Sequence, residues 1–95
     1  MDPLAEWRNN IDEIDSQLVT LLNKRARYAE EIGRVKFSLG LDAYSPEREE
    51  EVMQNVISQN AGPLSQQAVR RLFERIIDES RAMERLAMVK QKKQS

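Results

Sequence analysis

The residues able to do chemistry in this sequence are few in kind. Its 95 residues include no Cys and no His, which removes disulfides, Cys and His nucleophiles, imidazole acid–base steps and the usual zinc ligand sets. Chemistry is left to Arg, Lys, Glu, Asp, Ser and Gln. Two cations stand where an apolar residue belongs. Steps of three and four residues from Ile11 through Ile14, Leu18, Leu21 and Leu22 trace one helical face, which continues through Arg25, Ala29, Ile32 and Lys36. Arg25 and Lys36 are eleven residues apart, so they point within about 20° of each other and lie about 16 Å apart along the axis. A later stripe, Phe73, Ile77, Ser80 and Glu84, again exchanges apolar for polar groups toward its C-terminal half.

Polar groups on an apolar seam have two readings. They pair with one another or snorkel to solvent along their aliphatic stems. Alternatively, several cations converge on a pocket where an anionic ligand completes the pairing, because a buried cation without a partner is costly. The second reading predicts a site for a polyanion or dicarboxylate inside a helical bundle.

The elements that must position these residues follow from sparse punctuation. Gly40 and Gly62-Pro63 each follow a long periodic run and divide the chain into three pieces. Asp2-Pro3 predicts a capped start for a first helix running to about Leu39. Ser45-Pro46 repeats the device, with Glu47, Glu49 and Glu50 near the positive end of a second helix that ends near Asn60. Ser65 caps a third, whose stripe of Leu72, Ile76 and Ile77 continues toward Lys90. No strand pattern, repeat or low-complexity segment interrupts this all-α reading of one long, one short and one long helix in a single domain over residues 1–95.

Length carries a second inference. About 36 helical residues span roughly 54 Å, whereas a compact globule of this size has a radius of gyration of about 12 Å. A chain this short cannot cover its own first helix, so an intertwined homodimer is expected. The net charge of -1 offers no field for nucleic acid. The tail Lys90-Gln91-Lys92-Lys93-Gln94-Ser95 reads as a frayed, solvated end over about residues 90–95. No signal-type or membrane-length apolar run is present, so no membrane partner is expected and the cytoplasm is the expected location.

Three stretches carry a resemblance. Trp7-Arg8-Asn9-Asn10-Ile11-Asp12-Glu13-Ile14-Asp15, with Leu21-Leu22-Asn23-Lys24-Arg25 and Ile32-Gly33-Arg34-Val35-Lys36, resembles the first helix of the AroQ-type, all-helical chorismate mutases. Ser45-Pro46-Glu47-Arg48-Glu49 resembles the start of their second helix, and Leu72-Phe73-Glu74-Arg75-Ile76-Ile77-Asp78-Glu79-Ser80 resembles their third. The likeness covers nearly the whole chain. It implies rearrangement of chorismate to prephenate, on the route to phenylalanine and tyrosine, with no metal or other cofactor. Under it, Arg8 and Arg25 hold the substrate's two carboxylates, with Arg8 entering the site of the partner subunit. Guanidinium forks suit planar carboxylates better than an ammonium does. Lys36 matches the donor to the ether oxygen, where negative charge develops in the transition state. Arg48 adds positive field, Glu49 accepts from the ring hydroxyl, and Ser80 lies near a carboxylate.

This chain departs from the family at three positions. Glu84 stands where many members place Gln beside the ether oxygen, and a Glu donates only when protonated. Either catalysis favours acidic pH, or the site holds that carboxyl protonated; the competing reading is a Glu84–Lys36 ion pair. Ser45 stands where some relatives have an acidic residue, and Arg81 where an apolar wall residue is common, at the hydroxyl-binding end. The reaction asks little of functional groups, because a pericyclic shift needs only a folded substrate and charge beside the ether oxygen. The fold also hosts isochorismate-pyruvate lyases, and amphipathic helices alone would fit a non-catalytic dimerisation or regulatory module. Relatives of this type are also fused to, or paired with, the synthase that opens the shikimate pathway, which makes such a partner an expectation.

Overall fold

In a computed structural model, residues 2–94 are described, and they form α1 (Ala5–Leu39), α2 (Pro46–Gln59) and α3 (Gln66–Gln94), with no strand among them. The expected cap at Asp2-Pro3 is displaced. The Asp2 carboxylate accepts from the Leu4 amide at 2.9 Å and its carbonyl from the Ala5 amide at 3.2 Å. An Asp bonded to the amide two residues on makes a turn of its own, so α1 opens at Ala5. The second start is at Pro46, after an extended Ser45 whose hydroxyl makes no cap bond. At the third, Ser65 Oγ accepts from the Ala68 amide at 3.0 Å, as a capping serine should. Helical backbone then runs past Lys90 to Gln94, beyond the point where the sequence led us to expect fraying; Ser95 lies outside the described residues.

One turn matters directly for the site. Gly40 takes φ 68° at the end of α1, a left-handed conformation glycine adopts without steric cost. Its amide donates to Phe37 O at 3.2 Å and that of Leu41 to Lys36 O at 2.8 Å, the paired bonds of a Schellman ending. The reversal carries Ala43 back over α1, where its carbonyl accepts from Lys36 Nζ at 2.7 Å.

The C-terminal half of α1 packs along α3, and α2 packs on α3 but not on α1. The buried residues are small or slender: Ala29, Gly33, Ala43, Met53, Val69, Ile77 and Ala87. Where α1 crosses α3 at Gly33, an added Cβ would lie 2.5 Å from the carbonyl oxygen of Glu84 and 3.0 Å from Ala87 Cβ. Glycine inside a helix costs about 0.5–1 kcal/mol relative to Ala; here it lets two backbones touch beside Lys36 and Glu84.

The molecule measures 60 × 27 × 14 Å with a radius of gyration of 17.0 Å, against about 12 Å for a compact chain of this length. Its thinnest dimension is little more than one helix diameter, about 10–12 Å with side chains. Every residue from 2 to 24 is exposed, including Trp7, Ile11, Ile14, Leu18 and Leu21. The accessible surface of 7652 Å² exceeds by roughly 2,000 Å² the value of about 5,600 Å² that size scaling gives for a compact 11.0 kDa protein. No helix is long and apolar enough to cross a membrane, among the described residues.

Candidate active site

A cleft of about 470 Å³ opens between the three helices, within the range of small-molecule sites. Six of the seven residues singled out from the sequence line it: Arg25 and Lys36 from α1, Arg48 and Glu49 from α2, Ser80 and Glu84 from α3. Ser45 and Arg81, two of the departures from the family pattern, line it as well. Arg8 does not. It is exposed on the first turns of α1, seventeen residues and so about 26 Å along the axis from Arg25.

At one end Arg25 donates to Ser80 Oγ, and Ser80 in turn donates to Ile76 O at 3.0 Å. Burial, and then the positive charge of Arg48, push the Arg25 pKa below its ordinary value. Both causes act against the charged form. An arginine does not deprotonate in a protein, so this guanidinium stays charged and poorly compensated, a state that an incoming anion relieves. Arg48 itself, on the exposed rim, pairs with Glu51 one turn on.

Deeper in the cleft Lys36 Nζ lies 2.7 Å from Glu84 Oε1 and donates to Ala43 O. An ammonium has three donors; one is spent on Ala43 O, and the Glu84 contact is an ion pair rather than a directed bond. Both side chains are largely buried, 16% and 14% exposed. Glu84 Oε1 is fully withdrawn from solvent without a well-aligned hydrogen bond, so Lys36 supplies it with opposite charge more than with directed bonding. Of the two readings of Glu84, the ion pair is the one seen here.

At the third corner Arg81 grips Glu49 with two parallel bonds, Nε to Oε2 at 2.9 Å and Nη2 to Oε1 at 2.6 Å. Its Cζ sits 5.3 Å from the centre of the Tyr44 ring, and Asp78 approaches at 3.4 Å. The Glu49 hydrogen bond, foremost, pushes the Arg81 pKa up, and the nearby Asp78 charge adds to it.

Taken together, four cations (Arg25, Lys36, Arg48 and Arg81) face two carboxylates, Glu49 and Glu84, across one cleft. With both carboxylates ionised the lining carries a formal excess of two positive charges, the complement of a dicarboxylate. No group of three or more carboxylates converges as a metal ligand set, among the described residues. A second cleft of about 470 Å³ lies on the other side of the Arg25–Ser80 contact, lined largely by apolar groups such as Leu22, Ala26, Ile76 and Met83. It runs into the exposed face of α1.

Two contributors escaped the sequence reading. Gly33 lies inside a run that matches the family and carries no role there, although a glycine in the middle of so long a helix is itself a signal of close backbone approach. Tyr44 left no such signal.

Comparison with known proteins gives a consistent result. Residues 7–85 match the family model described as chorismate mutase type II. A bifunctional chorismate mutase/prephenate dehydratase of Neisseria gonorrhoeae is 42% identical over 82 residues, covering 86% of this chain and 22% of that protein. The protein of the same name from Aquifex aeolicus is 34% identical over 89 residues, 90% of this chain and 25% of its own length. The chain thus spans about a quarter of these curated relatives, whose names couple the mutase to a dehydratase rather than to the synthase expected from the sequence. Among solved structures, a chorismate mutase of Thermus thermophilus (form II) superposes with a TM-score of 0.86 at 33% identity, over 88% of this chain and 96% of that one.

Proposed function

We propose, on the premise that the chain belongs to the chorismate mutase type II family, that it converts chorismate to prephenate in the cleft between its three helices. The observation that carries this is the charge of the lining: four cations against two carboxylates, matched to a substrate with two carboxylates, an ether oxygen and a ring hydroxyl. In the rearrangement the ether C–O bond breaks as a C–C bond forms, six electrons shifting round a ring. The protein's task is to hold the compact conformer and to place positive charge where the ether oxygen becomes negative.

Arg25 forks onto one carboxylate, with Ser80 beside it. Lys36 donates to the ether oxygen with a hydrogen not spent on the Ala43 carbonyl, and Glu84, when protonated, donates to the same atom. Glu49 accepts from the ring hydroxyl, and Arg48 adds field from the rim. Arg8 reaches the second carboxylate from another copy of the chain, since its own cleft is about 26 Å away. A homodimer in which the exposed half of α1 crosses the partner is supported by the roughly 2,000 Å² of surface in excess of a compact monomer, an area of the size stable interfaces bury. The dimer works in the cytoplasm, joined to or beside an enzyme of the same aromatic route, as the bifunctional names of the relatives support.

Offering chorismate and isochorismate separately to the purified chain tests the reading. Prephenate from the first and no pyruvate from the second is the expected result. Pyruvate release from isochorismate without conversion of chorismate would reassign the cleft to lyase chemistry.

A further inference from the structure

Arg81 on α3 holds Glu49 on α2 through both carboxylate oxygens, at 2.9 and 2.6 Å. The guanidinium is itself held from two further directions. The Tyr44 ring faces Arg81 from the α1–α2 loop, and Asp78 approaches it from one turn earlier on α3. Arg81 and Glu49 are only 20% and 24% exposed. A planar fork that meets a carboxylate side-on fixes its orientation as well as its charge.

What that orientation does follows from where Glu49 sits. α2 packs on α3 and not on α1, so the wall that carries Arg48 and Glu49 is anchored on one side only. Of its first turns, the Arg81–Glu49 pair is the polar tie to α3. A carboxylate offers about four lone-pair sites, and the fork uses two, leaving acceptors for a donor in the cleft. An ionised carboxylate accepts and cannot donate, so a ligand hydroxyl pointed at it is recognised as a donor.

We propose that Arg81 is a positioning residue for substrate recognition: by clamping Glu49 between α2 and α3 it makes this end of the cleft selective for a ring hydroxyl. Arg81 acts through Glu49 and not on the reacting atoms. The proposal rests on the mutase reading above, and its test separates the two.

The test compares chorismate with its analogue in which hydrogen replaces the ring hydroxyl, for the parent chain, Arg81→Met, Arg81→Lys, Glu49→Gln and the Arg81→Met/Glu49→Gln double variant, each checked for helical content and melting temperature. For chorismate, Arg81→Met is expected to lose about ten- to a hundredfold in kcat/KM, the scale on which misplacing a group by an ångström acts. The loss should fall mainly in KM, because the hydroxyl contact is present equally before and during the rearrangement. On the analogue, which has no hydroxyl to misplace, Arg81→Met should lose only the share owed to removing one of the four cleft cations, several-fold less than it loses on chorismate. Lys, which cannot fork, should restore only part of the loss, and the double variant should be no worse than Glu49→Gln alone. Equal losses on both substrates, or losses that add in the double variant, overturn the proposal while leaving the mutase reading intact. A parent that converts neither compound overturns both.

Discussion

Lys36 is the side chain on which the proposed chemistry depends most, because it brings a largely buried ammonium of the cleft to the Glu84 carboxylate at 2.7 Å. Lys36→Ala is expected to lower kcat by about 10²–10³-fold, the scale measured for removing one preorganised donor from a developing oxyanion, with a smaller change in KM; steady-state kinetics on chorismate checks it. Glu84 shares its surroundings with Lys36 on α1 and with Arg25, Arg48, Glu49 and Arg81 around the cleft. Because a carboxylate only accepts whereas an amide also donates, Glu84→Gln is expected to turn chorismate over at neutral pH at least as fast as the parent. A large loss in Glu84→Gln would overturn the donor role given to this position. Arg25 carries the opposite kind of prediction. Its charged form is disfavoured by burial and by Arg48, so Arg25→Met is expected to melt at a higher temperature than the parent while losing activity, as sites that hold uncompensated charge trade stability for function. At this scale the sequence was informative where periodicity could speak. Eleven residues set Arg25 and Lys36 on one face, and a second stripe set Ser80 and Glu84 on another. The Arg81–Glu49 fork was not legible, because its partners are 32 residues apart and meet through a register between α2 and α3 that no spacing along the chain encodes.

The elements were read more fully than their seams. Three helices, their order and the Pro46 and Ser65 starts follow from cap chemistry and punctuation, whereas α1 opens two residues after Pro3 because Asp2 commits its side chain to a turn of its own. The contact that aligns α1 with α3 depends on Gly33, whose Cβ position is filled by the Glu84 carbonyl at 2.5 Å. Backbone cannot step aside as a flexible side-chain tip can. Gly33→Ala is therefore expected to destabilise the fold by about 1–3 kcal/mol, the usual range for overpacking, despite the better helix propensity of Ala. Urea unfolding followed by circular dichroism measures this. An unchanged midpoint would mean that the helices are not pressed together at this level.

At the scale of the whole molecule, a chain 14 Å thick with its first 20 or so described residues exposed follows from what the sequence showed by arithmetic alone: a helix too long for its own chain to cover. How two copies of the proposed dimer would cross is not written in one sequence, because it depends on faces that meet only in such an assembly. If each cleft takes Arg8 from the other copy, Arg8→Ala and Arg25→Ala chains, each inactive alone, complement one another. In a mixed dimer one site lacks both arginines and the other lacks neither, so random assortment restores about a quarter of parental activity. No recovery in co-expressed, verified mixed dimers would place Arg8 outside the site. All of these expectations presuppose the activity itself, so the measurement that bears most directly on the account is chorismate disappearance with prephenate formation by the purified chain, without added metal or cofactor, run beside Arg25→Ala. Steady conversion by the parent and near-complete loss in the variant are the expected results. Absence of conversion by the parent at both neutral and mildly acidic pH, or equal rates in the two chains, would contradict the proposed function.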